Sequence, residues 1–249
     1  MTTRAEILII GNEILSGKVA DEHAAFLCRE LRLLGVDVRR VVVIPDEVDT
    51  IAESVRAAWG RADLIITTGG VGPTHDDVTI EGLAKGLGRP LVRHPVLAQL
   101  VRDVYGASDD PYVNRLADVP EGATLIAAEG LRVPVLAVEK VYVFPGVPEV
   151  FRRKFHAIKA RFQNPPFFLR TIYLGVREES VAGLLYDASA KHPDVALGSY
   201  PVGNRGAYRV RLTLESKDRM RLETAFAFVM DRLPSGSVVS VDREPDPTG

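Results

Sequence analysis

Apolar residues in the first half of the chain recur with two alternating periods. Residues 5–11 (AEILIIG), 36–45 (VDVRRVVVIP) and 62–69 (ADLIITTG) are β-branched runs bounded by Gly or Pro, the mark of strands. Between them, DEHAAFLCRELRLLG carries Ala24, Phe26, Leu27, Leu31 and Leu34 at helical spacing, with Asp21 as N-cap and Gly35 as the stop. DEVDTIAESVRAAWG repeats the arrangement with Val48, Ile51, Val55, Ala58 and Trp59, closed by Gly60. Strands alternating with helices of this length imply parallel pairing through right-handed crossovers. The near-continuous apolar runs ILII and LII fit strands buried on both faces. The pattern therefore predicts an α/β fold with a doubly wound, mostly parallel sheet.

Further along, VTIEGLAKGLG and PVLAQLVRDVYG read as helices, and residues 107–138, rich in Pro and Gly, give no regular period. KVYVFPGVPEVFRRKFHAIKARF predicts a strand that turns through Pro145 and Gly146 into an amphipathic helix over 148–162. QNPPFF (163–168) reads as a linker. Beyond it the order strand, helix, strand, strand, helix, strand matches the split βαββαβ arrangement of a small ferredoxin-like domain. Its strand YRVRLTLE alternates Arg209, Arg211 and Thr213 with Val210, Leu212 and Leu214, as in a sheet with one wet face. The expected organisation is an α/β domain over 1–164, the small α+β domain over 165–243 and a flexible tail over 244–249.

Composition narrows the class of partner. The 249 residues carry a formal net charge of −2, with 46% hydrophobic and 26% charged positions, so no basic field is available to a nucleic-acid backbone or an anionic membrane surface. A single cysteine, Cys28, forms neither an internal disulfide nor a thiolate metal cage, in keeping with a reducing cytoplasmic compartment. The first apolar run is only four residues long, too short for a signal-peptide core or a membrane span. A soluble cytoplasmic protein without a nucleic-acid or membrane partner is expected.

Three strand-to-helix junctions hold the candidate chemistry. In LIITTGGVGPTHDDVTIEG, Gly69, Gly70 and Gly72 leave three of four positions without side chains, so backbone N–H groups can approach an anion closely beside a helix N-terminus. The spacing matches neither the dinucleotide fingerprint nor the Walker loop, and Asp76 and Asp77 stand where the Walker lysine would be. A carboxylate pair beside a phosphate site fits a divalent cation that bridges phosphate oxygens. One of the two aspartates serves equally well as a plain helix cap, and His75 as a surface residue. The second junction, IIGNEILSGK, offers Asn12, Glu13, Ser16 and Lys18; the third, VFPGVPE, offers Gly146 and Glu149, an acid that also suits a first helical turn. In a parallel sheet all three junctions emerge at one edge.

Taken together, IIGNEILSG, TTGGVGPTHDDVT and VFPGVPE resemble the molybdopterin-binding fold family, which includes MogA and MoaB, the N-terminal domain of CinA and the N-terminal domain of eukaryotic FAD synthase. The last is the most similar, because RLLGVDVRRVVVIPDEVDTIA, ARFQNPP, LGSYP and VRLTLES also match, so that the likeness runs through the small C-terminal domain. Two departures stand out. Asn12 takes the place of an Asp common in relatives, and FPGVPE replaces the PGNP of molybdopterin enzymes.

What the resemblance implies is a metal-dependent hydrolase that splits the diphosphate of FAD or ADP-ribose into two monophosphates, using magnesium or cobalt and potassium. The implied roles are metal binding by Asp76 and Asp77, catalysis by Asp77, Asp76 and Glu13, and phosphate or nucleotide binding by Gly69, Gly70, Gly72, Thr74, Asn12, Ser16, Gly146 and Glu149. A homo-oligomer, dimer or trimer, is implied as well. Two alternatives stay open: molybdopterin binding or adenylylation, and a nucleotide-binding module without turnover.

Overall fold

The computed structural model describes residues 2–106, 110–202 and 207–242, which form two compact units divided between Asn164 and Pro165. The predicted tail over 244–249 lies outside the described residues.

In the first unit, β1 (Arg4–Ile10) runs into a single helical turn, α1 (Asn12–Leu15), and then α2 (His23–Leu33), β2 (Asp37–Ile44), α3 (Val48–Trp59), β3 (Leu64–Thr68) and α4 (Thr79–Leu87) follow. The stretch without a clear period resolves into short pieces. β4 (Leu91–Arg93) pairs antiparallel with β5 (Asp118–Pro120), and between them lie α5 (Pro95–Tyr105), α6 (Pro111–Asn114) and a 3-10 turn over Arg115–Ala117. β6 (Thr124–Ile126), β7 (Val135–Val138), β8 (Val141–Phe144) and α7 (Pro148–Ile158) complete the unit. The helix expected over 148–162 ends at Ile158, and its last turn tightens to 3-10 over Lys159–Phe162.

The main sheet has the order β2-β1-β3-β8-β7-β6. Its first four strands are parallel, and β7 and β6 add an antiparallel edge. Period-two alternation sends β1 residues to two separate cores. Ala5, Ile7 and Ile9 join Phe26, Leu27, Leu31, Phe151 and Phe155 on one face, while Leu8 and Ile10 join Ile51, Val55, Ala58 and Leu83 on the other. The sheet is thus covered on both sides, which explains why β1 and β3 read as unbroken apolar runs. On the first face Phe26 meets Phe151 and Phe155 edge-on, each pair with ring centroids 5.5 Å apart. On the second face α4 can lie against α3 because Gly82 and Gly86 carry no side chain; a Cβ at Gly82 would sit 2.5 Å from Ile51 Cγ2.

The second unit comprises β9 (Phe168–Leu174), α8 (Ala182–Lys191), β10 (Ala196–Pro201), β11 (Val210–Ser216), α9 (Arg219–Arg232) and β12 (Val238–Asp242). The antiparallel sheet has the order β10-β11-β9-β12, as βαββαβ connectivity requires. Its core gathers Ile172, Leu174, Val210, Leu212 and Leu214 beneath Leu222, Ala225 and Val229 of α9. Along β11 the even-numbered residues are buried, Arg211 is exposed and Thr213 is half-buried, so one face is wet as the alternation predicts. Among the described residues no helix is long and apolar enough to cross a membrane.

Candidate functional site

The three junctions meet at one edge of the main sheet because β1, β3 and β8 are parallel neighbours. The Gly69 N–H donates to Phe144 O at 3.2 Å and the Gly11 N–H to Ile44 O at 3.1 Å, so the chain leaves each strand still bonded to the next one. Gly69 has φ +100°, and a Cβ there would lie 2.0 Å from Ile10 O; Gly70 has φ +60°. Both conformations suit glycine alone at such close quarters. Gly72 has no positive φ and is tight only against the Asp77 carboxylate, so the demand for backbone freedom falls on the first two glycines. Gly146 stands against Gly69, with 3.4 Å between the place of its Cβ and Gly69 Cα.

Two buried hydroxyls lock this edge. Thr79, at the start of α4, donates to Gly69 O at 2.8 Å. Thr68 donates to Pro145 O at 3.0 Å, which ties the third junction to the end of β3. With that proton committed, His23 Nδ1, 2.8 Å from Thr68 Oγ1, is the donor in the second bond. Burial also pushes the His23 imidazole below its ordinary pKa, and its Nε2 is buried without a protein partner. Sequence reading placed His23 simply within a helix. The N-cap of α2 is Glu22 rather than the expected Asp21, which precedes it and accepts from the N–H groups of His23 and Ala24 at 2.9 and 3.0 Å; this local pattern gives no hint of the contact with Thr68.

In the glycine loop itself, the N–H groups of Gly70, Val71 and Gly72 have no protein acceptor among the described residues. The loop then folds back on itself. Asp77 accepts from the Thr74 N–H at 2.8 Å and from the Thr74 hydroxyl, while Arg115 donates to Thr74 O and, at 3.1 Å, to Asp77 O. Neither aspartate caps α4, whose N-cap is Val78 with no side-chain bond, so the plain capping role does not hold for Asp76 or Asp77. The nearby Thr74 hydroxyl, whose one proton lies between the two carboxylates, and the Asp76 backbone N–H hold the Asp76 carboxyl below its ordinary pKa, with smaller help from His75 and Arg115. His75 is an exposed residue 3.8 Å from Asp76.

A further acid, Asp46, stands at this edge and has no signal in the sequence. Asp46, just past β2, accepts from the Asn12 N–H at 2.7 Å, and one of its oxygens lies 3.2 Å from where a Gly70 Cβ would be. Burial pushes its carboxyl up, the Asn12 bond opposes this, and the negative charges of Glu13, Asp76 and Asp77 push it up further. Glu13 folds over Gly11, and Ser16 donates to Glu13 O at 3.3 Å. Glu149 is exposed in the first turn of α7. Asp46 sits behind Ile44 and Pro45 in a loop with no glycine signal, so only the parallel pairing of β1 with β2 brings it here.

Beside the loop lies a cavity of about 340 Å³ whose lining includes Gly72, Asp77, Arg115, Leu125, Val143 and Lys154. Lys154 donates to Pro134 O at 2.9 Å, and burial pulls its amine down to about 8, with Arg153 adding to the shift.

A doubly wound, mostly parallel sheet with a glycine loop and clustered acids at its strand ends places the chain among the open α/β proteins, in which the carboxyl ends of the strands are where ligand sites lie. The chain belongs to the family described as probable molybdopterin binding domain, whose sequence pattern matches residues 6–164; the pattern of the FAD synthase middle domain matches residues 166–242. It is 33% identical over 215 residues to a protein of Archaeoglobus fulgidus, covering 86% of this chain and 92% of that one. It is 29% identical to the probable FAD synthase of Caenorhabditis briggsae, covering 96% of this chain and about half (51%) of that protein. The crystal structure of the protein CinA from Thermoplasma acidophilum is similar with a TM-score of 0.60 and 32% identity, covering 65% of this chain and 98% of that one.

Proposed function

We propose that the chain is a metal-dependent hydrolase that cleaves the diphosphate bridge of a dinucleotide or nucleotide sugar of the FAD or ADP-ribose type. Water adds to one phosphorus, the bridging P–O bond breaks, and the leaving oxygen departs with the second monophosphate. The observation that carries this reading is the convergence of the unpaired N–H groups of Gly70, Val71 and Gly72 with the acids Glu13, Asp46, Asp76 and Asp77 at one sheet edge. Open N–H groups suit phosphate oxygens, whereas acids crowded at the same place repel them unless a cation intervenes.

Among the described residues no three His, Cys, Asp or Glu side chains converge on a metal position by themselves. A magnesium-type ion fits nonetheless, since it draws one or two carboxylates from the protein and completes its shell with phosphate oxygens and water. Asp76 and Asp77 would supply those carboxylates, with Asp46 adding negative charge nearby, and the ion, when bound, would neutralise the diphosphate. The backbone N–H groups of residues 70–72 hold the phosphates, and Thr74, whose hydroxyl donates to Asp77, orients that carboxylate; Glu13 or Glu149 orients the attacking water. Asn12, Ser16 and Gly146 shape the walls. In this reading the protein works in the cytoplasm as a dimer or trimer.

The family match favours a second reading, molybdopterin binding or adenylylation. One experiment separates the readings: incubate the purified chain with FAD, ADP-ribose and other dinucleotides across magnesium and cobalt, with and without potassium, and analyse the products. Paired monophosphates, lost in Asp77→Ala, are expected. Copurified pterin fluorescence without hydrolysis would give the site to the second reading, and tight dinucleotide binding without turnover would leave a non-catalytic module.

A further inference from the structure

The cavity beside the glycine loop is walled mainly by aliphatic side chains, among them Leu97, Leu125, Leu136 and Val143. Gly72 and Asp77 belong to the same lining, so whatever binds the loop by its phosphates has this space next to it. Of the charged groups that line it, most are already engaged. Arg115 donates to the carbonyls of Thr74 and Asp77 and stands 3.7 Å from Glu81, and Asp118 is held at 2.9 and 3.2 Å by the Arg93 guanidinium.

Lys154 differs. Its ammonium has three N–H donors, and among the described residues its protein acceptor is the Pro134 carbonyl alone, with no carboxylate at ion-pair distance. Lys154 is half-buried, lysines seldom give up water without a charge partner, and this partial burial draws the amine down to about 8. An apolar cavity with one convergent donor is how proteins hold a flat ring and fix its edge.

We propose that this cavity is the subsite for the heteroaromatic ring of the ligand whose phosphates bind the glycine loop, and that Lys154 donates a hydrogen bond to an acceptor on the ring edge. Lys154 is then a residue of specificity. A ring that presents a carbonyl or ring nitrogen to the amine is accepted, and one without it strips water from the remaining N–H donors of Lys154 without replacing it and is disfavoured. The inference rests on the loop being a phosphate site.

The test compares three probes by calorimetry: FMN, AMP and ribose 5-phosphate, the last having the phosphate and no ring. The wild-type chain is expected to bind at least one ring-bearing probe tenfold or more tighter than ribose 5-phosphate. Lys154→Met should remove that advantage while ribose 5-phosphate binds as before, and Lys154→Arg should restore part of it. Val133→Trp, a substitution at the half-exposed rim of the cavity, should remove the advantage too without touching the amine. Equal affinity for all three probes in the wild type, or unchanged ring preference in both Lys154→Met and Val133→Trp, would overturn the ring subsite while the phosphate reading stands. No binding of any probe would overturn both.

Discussion

Replacement of Gly69 by alanine tests the closest backbone approach at the site. The new Cβ would fall 2.0 Å from Ile10 O, where ordinary contact begins at 3.4 Å, so the loop or the end of β1 must yield by about 1.4 Å. Neither can yield alone, since the Gly69 N–H is bonded to Phe144 O and Gly69 O accepts from Thr79. The positive φ costs an L-residue roughly 1–2 kcal/mol, and forced overpacking adds roughly 1–3 kcal/mol, for a total of about 2–5 kcal/mol. At about 2–4 °C per kcal/mol for a domain of this size, the Tm of the first unit should fall by roughly 4–20 °C. Gly17→Ala is the control: its φ is +71°, yet nothing lies within 4 Å of the added Cβ, so it should cost only about 1–2 kcal/mol. Both variants and the parent are unfolded in urea and by heat, and ADP binding is measured alongside, because a shift of about 1 Å in a phosphate loop can cost about a hundredfold in catalysis. If Gly69→Ala loses no more stability than Gly17→Ala and binds ADP as the parent does, the close approach described here is wrong.

Three further outcomes are expected. Folding raises the Asp46 carboxyl above its unfolded value, so ionised Asp46 costs stability above its folded pKa, and that cost fades as pH falls through the carboxylate range. Asp46→Asn, which can still accept from the Asn12 N–H, should therefore be as stable as the parent or more so at pH 7, with the difference closing toward pH 4 in urea titrations; a variant less stable at pH 7 than at pH 4 relative to the parent would refute this. Asp77→Ala loses its bonds to Thr74, a cost of about 1 kcal/mol of the kind measured for caps, and should unfold cooperatively while dinucleotide hydrolysis drops at least a hundredfold; retention of parental turnover would remove Asp77 from the chemistry. Because the hydrophobic cores of the two units share no residue, a fragment ending at Asn164 should fold and keep ligand binding, and a folded fragment without binding would bring the second unit into the site.

What the sequence determined by itself was whatever depends on local periodicity and local bonding. The two cores of the first unit follow from period-two alternation in residues 5–10 and 64–66, and the wet face of β11 follows from Arg211 and Thr213 set against Val210, Leu212 and Leu214. The glycines at 69 and 70 were legible because a positive φ next to a strand end leaves few alternatives. The irregular stretch from 107 was not legible, since β5, β6 and β7 have only three or four residues each, too few to show a period, and β5 is held by β4, a partner more than twenty residues away in sequence. Tertiary structure alone decided the rest. Asp46 reaches the glycine loop only through the pairing of β1 with β2, His23 is fixed through Thr68 across 45 residues, and Lys154 gains its depressed pKa from a cavity walled by elements scattered from residue 71 to residue 150. Burial and charge proximity are properties of the folded ensemble of neighbours, and a linear pattern records neither.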